Sequence, residues 1–136
     1  MSDAEELLIA APDPAKWTTL EFAGGLRVNT LWEDPETGAS IAMLDVPEGA
    51  GIPERHAHAS NQFMYCLEGE YAYLEPAPGL VLTAGAFYMN PKGRPHGPTR
   101  AHRRSLLIEI YDGPHYFAKP DFHSDETVGR LSASDE

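Results

Sequence analysis

The chain has one cysteine, Cys66, so no disulfide can form within it. Basic residues are also scarce: 10 Lys and Arg stand against 21 Asp and Glu, a formal net charge of -11. Phosphate backbones and anionic lipid surfaces select basic faces, so neither nucleic acid nor membrane is expected as a partner. No apolar run approaches the length needed to span a bilayer. The start, Met-Ser-Asp-Ala-Glu-Glu, lacks the basic and apolar regions of a secretion signal. The expected location is therefore the reducing cytoplasm. Helix signals are few. Residues 3–10 can form a short helix stopped by Pro12 and Pro14, and residues 124–131 another, capped by Ser124 or Asp125.

What is present is turn chemistry and strand composition. The 136 residues include 12 Gly and 12 Pro, and 42% are hydrophobic, enough to build one core. Turn signals recur at Asp34-Pro35-Glu36-Thr37-Gly38, Pro47-Glu48-Gly49, Glu68-Gly69, Pro76-Ala77-Pro78-Gly79 and Asn90-Pro91-Lys92-Gly93. Between them, strands are predicted near 17–22, 26–33, 39–46, 56–67, 70–75, 80–83, 86–90 and 105–111. Many short strands between Gly/Pro turns predict an all-β sandwich or barrel. The division expected is an extension over 1–16, a β-barrel over 17–118 and a tail over 119–136.

The chemistry concentrates on four residues. His56, His58 and Gln62 lie at even spacing on the predicted 56–67 strand, so their side chains share one face, with Met64 and Cys66 beyond them. Two imidazoles and an amide facing a core are costly to bury without a partner. A metal ion is the partner that spacing proposes, with His96 arriving from a neighbouring strand. The donor set suits one divalent transition metal per chain (Mn, Fe, Co, Ni or Zn) and is too rich in nitrogen for Ca or Mg. Phe63, Tyr65 and Leu67 then face outward, which points to a homodimer.

Two motifs carry a family resemblance. The first reads Gly51-Ile-Pro-Glu-Arg-His56-Ala-His58-Ala-Ser-Asn-Gln62, then Phe-Met-Tyr-Cys-Leu-Glu-Gly69. The second reads Gly85-Ala-Phe-Tyr-Met-Asn-Pro91-Lys-Gly93-Arg-Pro-His96-Gly-Pro-Thr-Arg100. In both, the chain resembles the cupins. That resemblance implies a double-stranded β-helix, a jelly-roll barrel of two antiparallel sheets with short terminal helices or extensions. It also implies a metal held by His56, His58, Gln62 and His96, and a homodimer. Two positions depart from the family pattern. Gln62 replaces the usual glutamate ligand, and Arg100 replaces an asparagine that does not bind metal. Three imidazoles and an amide are all neutral, so a bound ion would keep its full charge of +2. Such a centre polarises a carbonyl strongly and favours an enolate or carboxylate ligand.

Cupins with three histidines and a glutamine resemble isomerising, cyclising and lyase enzymes that act on small carbonyl or enolisable substrates. The expected function is a metal-dependent enzyme of that kind, with a small-molecule substrate. An iron-dependent dioxygenase acting on a chelating dicarbonyl or phenolic substrate is the alternative, and a non-catalytic metal- or ligand-binding domain is a third reading. Glu109, Tyr73 and Tyr88 are the candidates for moving protons. Glu109 interrupts Leu106-Leu107-Ile108-Glu109-Ile110, so it must face outward, be paired, or serve as a general base. The Arg94–Arg104 stretch holds four basic residues and reads as a solvated loop balancing nearby acids, or as a funnel for anions.

Overall fold

The computed structural model describes residues 7–74, 79–124 and 127–132. Its strands are β1 (Thr18–Leu20), β2 (Leu26–Glu33), β3 (Ser40–Val46), β4 (Gln62–Tyr73), β5 (Leu80–Thr83), β6 (Phe87–Asn90) and β7 (Thr99–Tyr111). They pair antiparallel in the order β1-β2-β3-β7-β4-β5, with β6 also on β4. The sheet curls into a jelly-roll β-barrel. Its interior is filled by alternate side chains, among them Leu20, Leu26, Leu44, Met64, Tyr71 and Leu107.

Four expectations need correction. Residues 56–61 are not strand. His56 makes only an isolated bridge to His96, and the backbone beyond it is held by the 112–115 segment. There Ala59 N–H donates to the His115 carbonyl (3.2 Å), Ser60 Oγ to the Pro114 carbonyl (2.7 Å) and Asn61 N–H to Asp112 Oδ1 (2.9 Å). These contacts satisfy the backbone in place of a ladder. Second, Glu68-Gly69 is no turn. β4 runs through it, with register shifts between Cys66 and Tyr71. Gly69 has φ 106°, and a Cβ there would sit 2.4 Å from Ser105 Oγ, so the bulge requires glycine.

Third, Thr99–Arg104 is strand rather than loop, paired with the second half of β4. Two of its three arginines pair with acids: Arg103 with Glu70 (3.5 Å) and Arg104 with Asp45 (2.9 Å). Fourth, neither terminal helix is present among the described residues. Residues 7–10 are irregular, and residues 3–6 of that expected helix lie outside the described part. Of the second, residues 125–126 lie outside it. Thr127–Leu131 instead crosses the barrel mouth as a strap, with Leu131 bridging Tyr116 in parallel.

The inward parity of Gln62, Met64 and Cys66 is as expected, since all three are buried. The opposite face of the sheet carries two apolar rows. One runs Trp32–Ile41–Ile110–Phe63–Met89, the other Met43–Ile108–Tyr65–Phe87. Phe87 is 63% exposed, high for so large an apolar side chain.

Candidate metal centre

The two motifs meet through backbone. His56 N–H donates to the His96 carbonyl, and His96 N–H to the His56 carbonyl, both at 2.8 Å. Gly51 lets the first motif approach β7 closely, because a Cβ there would lie 2.1 Å from the Thr99 carbonyl oxygen. Ile52 N–H then donates to Thr99 Oγ1 (2.8 Å). The result brings His56, His58 and His96 together with one ligand atom each, all within 4.8 Å of one another.

Each imidazole is oriented through Nδ1. His56 Nδ1 lies 2.8 Å from the Glu54 carbonyl and His58 Nδ1 3.0 Å from the His115 carbonyl. A carbonyl only accepts, so Nδ1 carries the proton in both rings and Nε2 presents its lone pair. His96 Nδ1 lies 3.2 Å from the Tyr88 hydroxyl. Such outer partners fix ring orientation at metal sites. Burial lowers all three imidazoles. His96 is held down at about 3, with His56 adding to burial, and His58 lies well below the ordinary histidine range through burial and then through His115, His56 and His96. Neutral imidazoles are the form that binds a cation.

Among the described residues, two buried side-chain polar atoms lack a hydrogen-bond partner: His96 Nε2 and Gln62 Oε1. Both are acceptors. A buried lone pair without a donor costs free energy, and a cation removes that cost. The donor set and these two deficits fit a transition metal ion. Gln62 is fixed from its other side. Its Nε2 donates to Glu109 Oε2 (2.8 Å) and to the Tyr111 hydroxyl (3.1 Å), which in turn donates to Glu109 Oε2 (2.9 Å). With both groups donating to the Glu109 carboxylate, the Gln62 amide N–H₂ faces Glu109 and Oε1 is turned away from it.

Glu109 therefore faces inward and is paired, against the outward position the sequence suggested first. Burial raises its carboxyl above the usual range, and the Gln62 and Tyr111 hydrogen bonds offset part of that. Tyr73 is fully buried and stacks on Tyr88 and His96, with ring centroids at 4.3 and 5.3 Å. Burial raises the Tyr73 hydroxyl well above its ordinary range, which keeps it protonated. Tyr88 serves His96. His102 lies exposed on β7.

The sequence left most of the far wall unassigned. His115 stacks on His58 (10° between planes) and on Tyr116, and the Tyr116 hydroxyl lies 2.8 Å from His123 Nδ1. The only signal was composition: Gly-Pro-His-Tyr-Phe at the end of the last strand. These residues help enclose an inner cavity of about 70 Å³, which has apolar walls from Leu20, Leu26, Ile52 and Met64. A wider outer cavity of about 270 Å³ opens beside it, under the strap. Val28, Glu109, Tyr111, His115 and Thr127 line both.

A family model described as the ChrR cupin-like domain matches residues 5–115. Curated proteins give no match. Among solved structures, the Rhodobacter sphaeroides SigE complex with the anti-sigma ChrR is 25% identical with a TM-score of 0.57, over 71% of this chain and 49% of that one. This chain thus spans about half the length of the chain it matches there. A putative acetylacetone dioxygenase from Methylibium petroleiphilum PM1 is 24% identical over 99% of this chain and 94% of that one, with a TM-score of 0.67. An acetylacetone dioxygenase from Acinetobacter johnsonii is 21% identical over 95% and 88%, with a TM-score of 0.65. The two dioxygenase likenesses establish the fold.

Proposed function

The chain belongs to the ChrR cupin-like family, and on that premise we propose that it is a metal-dependent enzyme acting on a small carbonyl or enolisable substrate. The observation that carries this reading is the pair of unpartnered buried polar atoms, His96 Nε2 and Gln62 Oε1, beside an apolar cavity. His56, His58 and His96 would hold a divalent transition ion through Nε2, with Gln62 Oε1 as the fourth donor. Such an ion supplies Lewis acidity toward a substrate oxygen.

The remaining work falls to the chain. Gln62 is held in place by Glu109 and Tyr111. Tyr88 and two backbone carbonyls orient the imidazoles. Leu20, Leu26 and Ile52 exclude water from the substrate's apolar part. Glu109 Oε2 takes both hydrogen bonds from Gln62 and Tyr111, which leaves Oε1 to receive a proton from a substrate carbon. A carboxyl raised by burial is the more basic for it.

The test is deuterium exchange into enolisable ketones by the zinc- or nickel-loaded chain. Exchange in the wild type should fall about 100-fold or more in Glu109→Gln with metal content unchanged. Binding without exchange in the wild type would favour a non-catalytic ligand-binding domain. A second reading, oxygen-dependent cleavage of a dicarbonyl by the iron form, is supported by likeness to two acetylacetone dioxygenases along nearly the whole chain. Oxygen uptake by the iron form with a β-dicarbonyl, and none with zinc, would select it.

We also infer that a second copy of the chain covers the apolar outer face. The groups at its borders are already paired within the chain: Asp45 with Arg27 and Arg104, and Asp112 with Asn61. The two rows themselves carry no charged side chain, so an apolar partner fits them better than a charged one. Two identical apolar faces complement each other about a twofold axis.

A further inference from the structure

Four tyrosines line the inner cavity: Tyr71, Tyr73, Tyr111 and Tyr116. Three of their hydroxyls are paired within the chain. The Tyr71 hydroxyl lies 2.6 Å from Thr99 Oγ1, Tyr111 donates to Glu109 Oε2 (2.9 Å), and the Tyr116 hydroxyl lies 2.8 Å from His123 Nδ1. Among the described residues, nothing pairs with the Tyr73 hydroxyl. The side chain is only 1% exposed, so its hydroxyl lies away from the outer surface. Nor is it shut in by packing as His96 Nε2 and Gln62 Oε1 are. It opens on the inner cavity.

A phenylalanine would fill this place without burying a hydroxyl, and a buried Tyr O–H ordinarily finds a partner. The ring has little freedom to seek one. It stacks on Tyr88 and His96 and meets Tyr71 edge-on at 5.5 Å. Its backbone is paired on both sides, with Thr99 of β7 and Leu80 of β5. The hydroxyl is therefore held in place before a ligand arrives, which spares part of the ordering cost of binding.

Its position is separate from the metal-binding atoms. A phenol can donate or accept, and His96 Nε2 and Gln62 Oε1 both lack a partner, yet neither pairs with Tyr73. The hydroxyl thus stands beyond hydrogen-bond reach of both. The cavity's other walls include the apolar side chains of Leu20, Leu26, Leu44 and Ile52. A plain ketone places its one oxygen on the ion, and a chelating dicarbonyl places both of its oxygens there. Either leaves Tyr73 facing an apolar group, unpaired. A substrate with a further hydroxyl pairs it, donor to acceptor.

We propose that Tyr73 is a specificity-determining residue whose hydroxyl pairs with a hydroxyl carried by the substrate beyond its metal-bound oxygen, so that the site prefers hydroxylated ketones to their alkyl counterparts. This rests on the metal-dependent reading above and adds a group that neither a plain ketone nor a chelating dicarbonyl carries.

The test uses the full chain loaded with manganese and two probes of equal size, 4-hydroxy-2-butanone and 2-pentanone, which differ by a hydroxyl in place of a methyl group. Paramagnetic relaxation of the probe protons gives the affinity for each. Wild type should bind the hydroxy ketone about tenfold tighter. Tyr73→Phe keeps the stacked ring and should bring that ratio to about one, with manganese content and 2-pentanone affinity unchanged. Tyr71→Phe removes a hydroxyl already paired with Thr99 and should leave the ratio at its wild-type value. A wild-type ratio near one would overturn the proposal. So would a preference that survives in Tyr73→Phe, which puts the probe hydroxyl on the ion. Equal weakening of both probes in Tyr73→Phe puts the phenol on the metal-bound oxygen and overturns it too, and an equal loss of preference in Tyr71→Phe makes the effect one of packing. A wild-type chain that takes up no manganese, or binds neither probe, overturns the metal-dependent reading and this proposal with it.

Discussion

At the scale of single residues, the site is organised by which nitrogen of each imidazole is engaged. His56 and His58 turn Nε2 inward because Nδ1 faces a carbonyl, whereas His115 is set the other way by the Gly129 N–H. Gln62 is set by the same logic, its amide N–H₂ drawn to Glu109 and Tyr111. Gln62→Glu would place a second carboxylate against Glu109 and lower the charge of the ligand set by one. It should retain metal but change exchange activity several-fold, read by metal analysis alongside the exchange assay. The four donor candidates, His56, His58, Gln62 and His96, were legible from motif spacing. Glu109 was less so. An acid inside an apolar run argues for the outside, unless its partners, Gln62 on the neighbouring strand and Tyr111 two residues on, are known. The tautomer of His115 was illegible, because it depends on a glycine fourteen positions on.

At the scale of elements, strands bounded by strong turn signals were legible: 26–33 and 80–83 stand where alternation and Gly/Pro placed them. Errors arose where local chemistry has two meanings. His56-Ala-His58 has the period of a strand, yet Ser60 and Asn61 bind the 112–114 segment with their side chains and the ladder does not form. Glu68-Gly69 has the composition of a turn, yet a left-handed glycine also serves a bulge, and the close approach of Ser105 selects the bulge. Three strands are tied at their far end by Asp45, which takes Arg27 from β2 and Arg104 from β7. Burial alone would raise the Asp45 carboxyl, but the two guanidiniums outweigh it and leave it lowered. A lowered folded value means the contribution is complete above the unfolded value near 3.8 and is lost as pH falls through the lower folded value. Asp45→Asn should therefore flatten the acid limb of stability. Chemical denaturation of wild type and variant between pH 6 and about pH 3 checks this, with the gap between them narrowing as pH falls.

At the scale of the whole molecule, the barrel has two working surfaces. The inner one ends in histidines and an apolar cavity. The outer one carries two apolar rows across five strands. Light scattering should give about twice the chain mass of 14.9 kDa, and Phe87→Glu should return it to one chain. A wild-type monomer would remove the second copy from the account. The central claim, however, is the ion. It is tested most directly by plasma mass spectrometry of metal content in wild type and His96→Ala. The account predicts about one divalent transition ion per wild-type chain and a variant stripped or strongly depleted of it. Full occupancy in His96→Ala, or a wild-type chain that holds no metal after reconstitution, would contradict it.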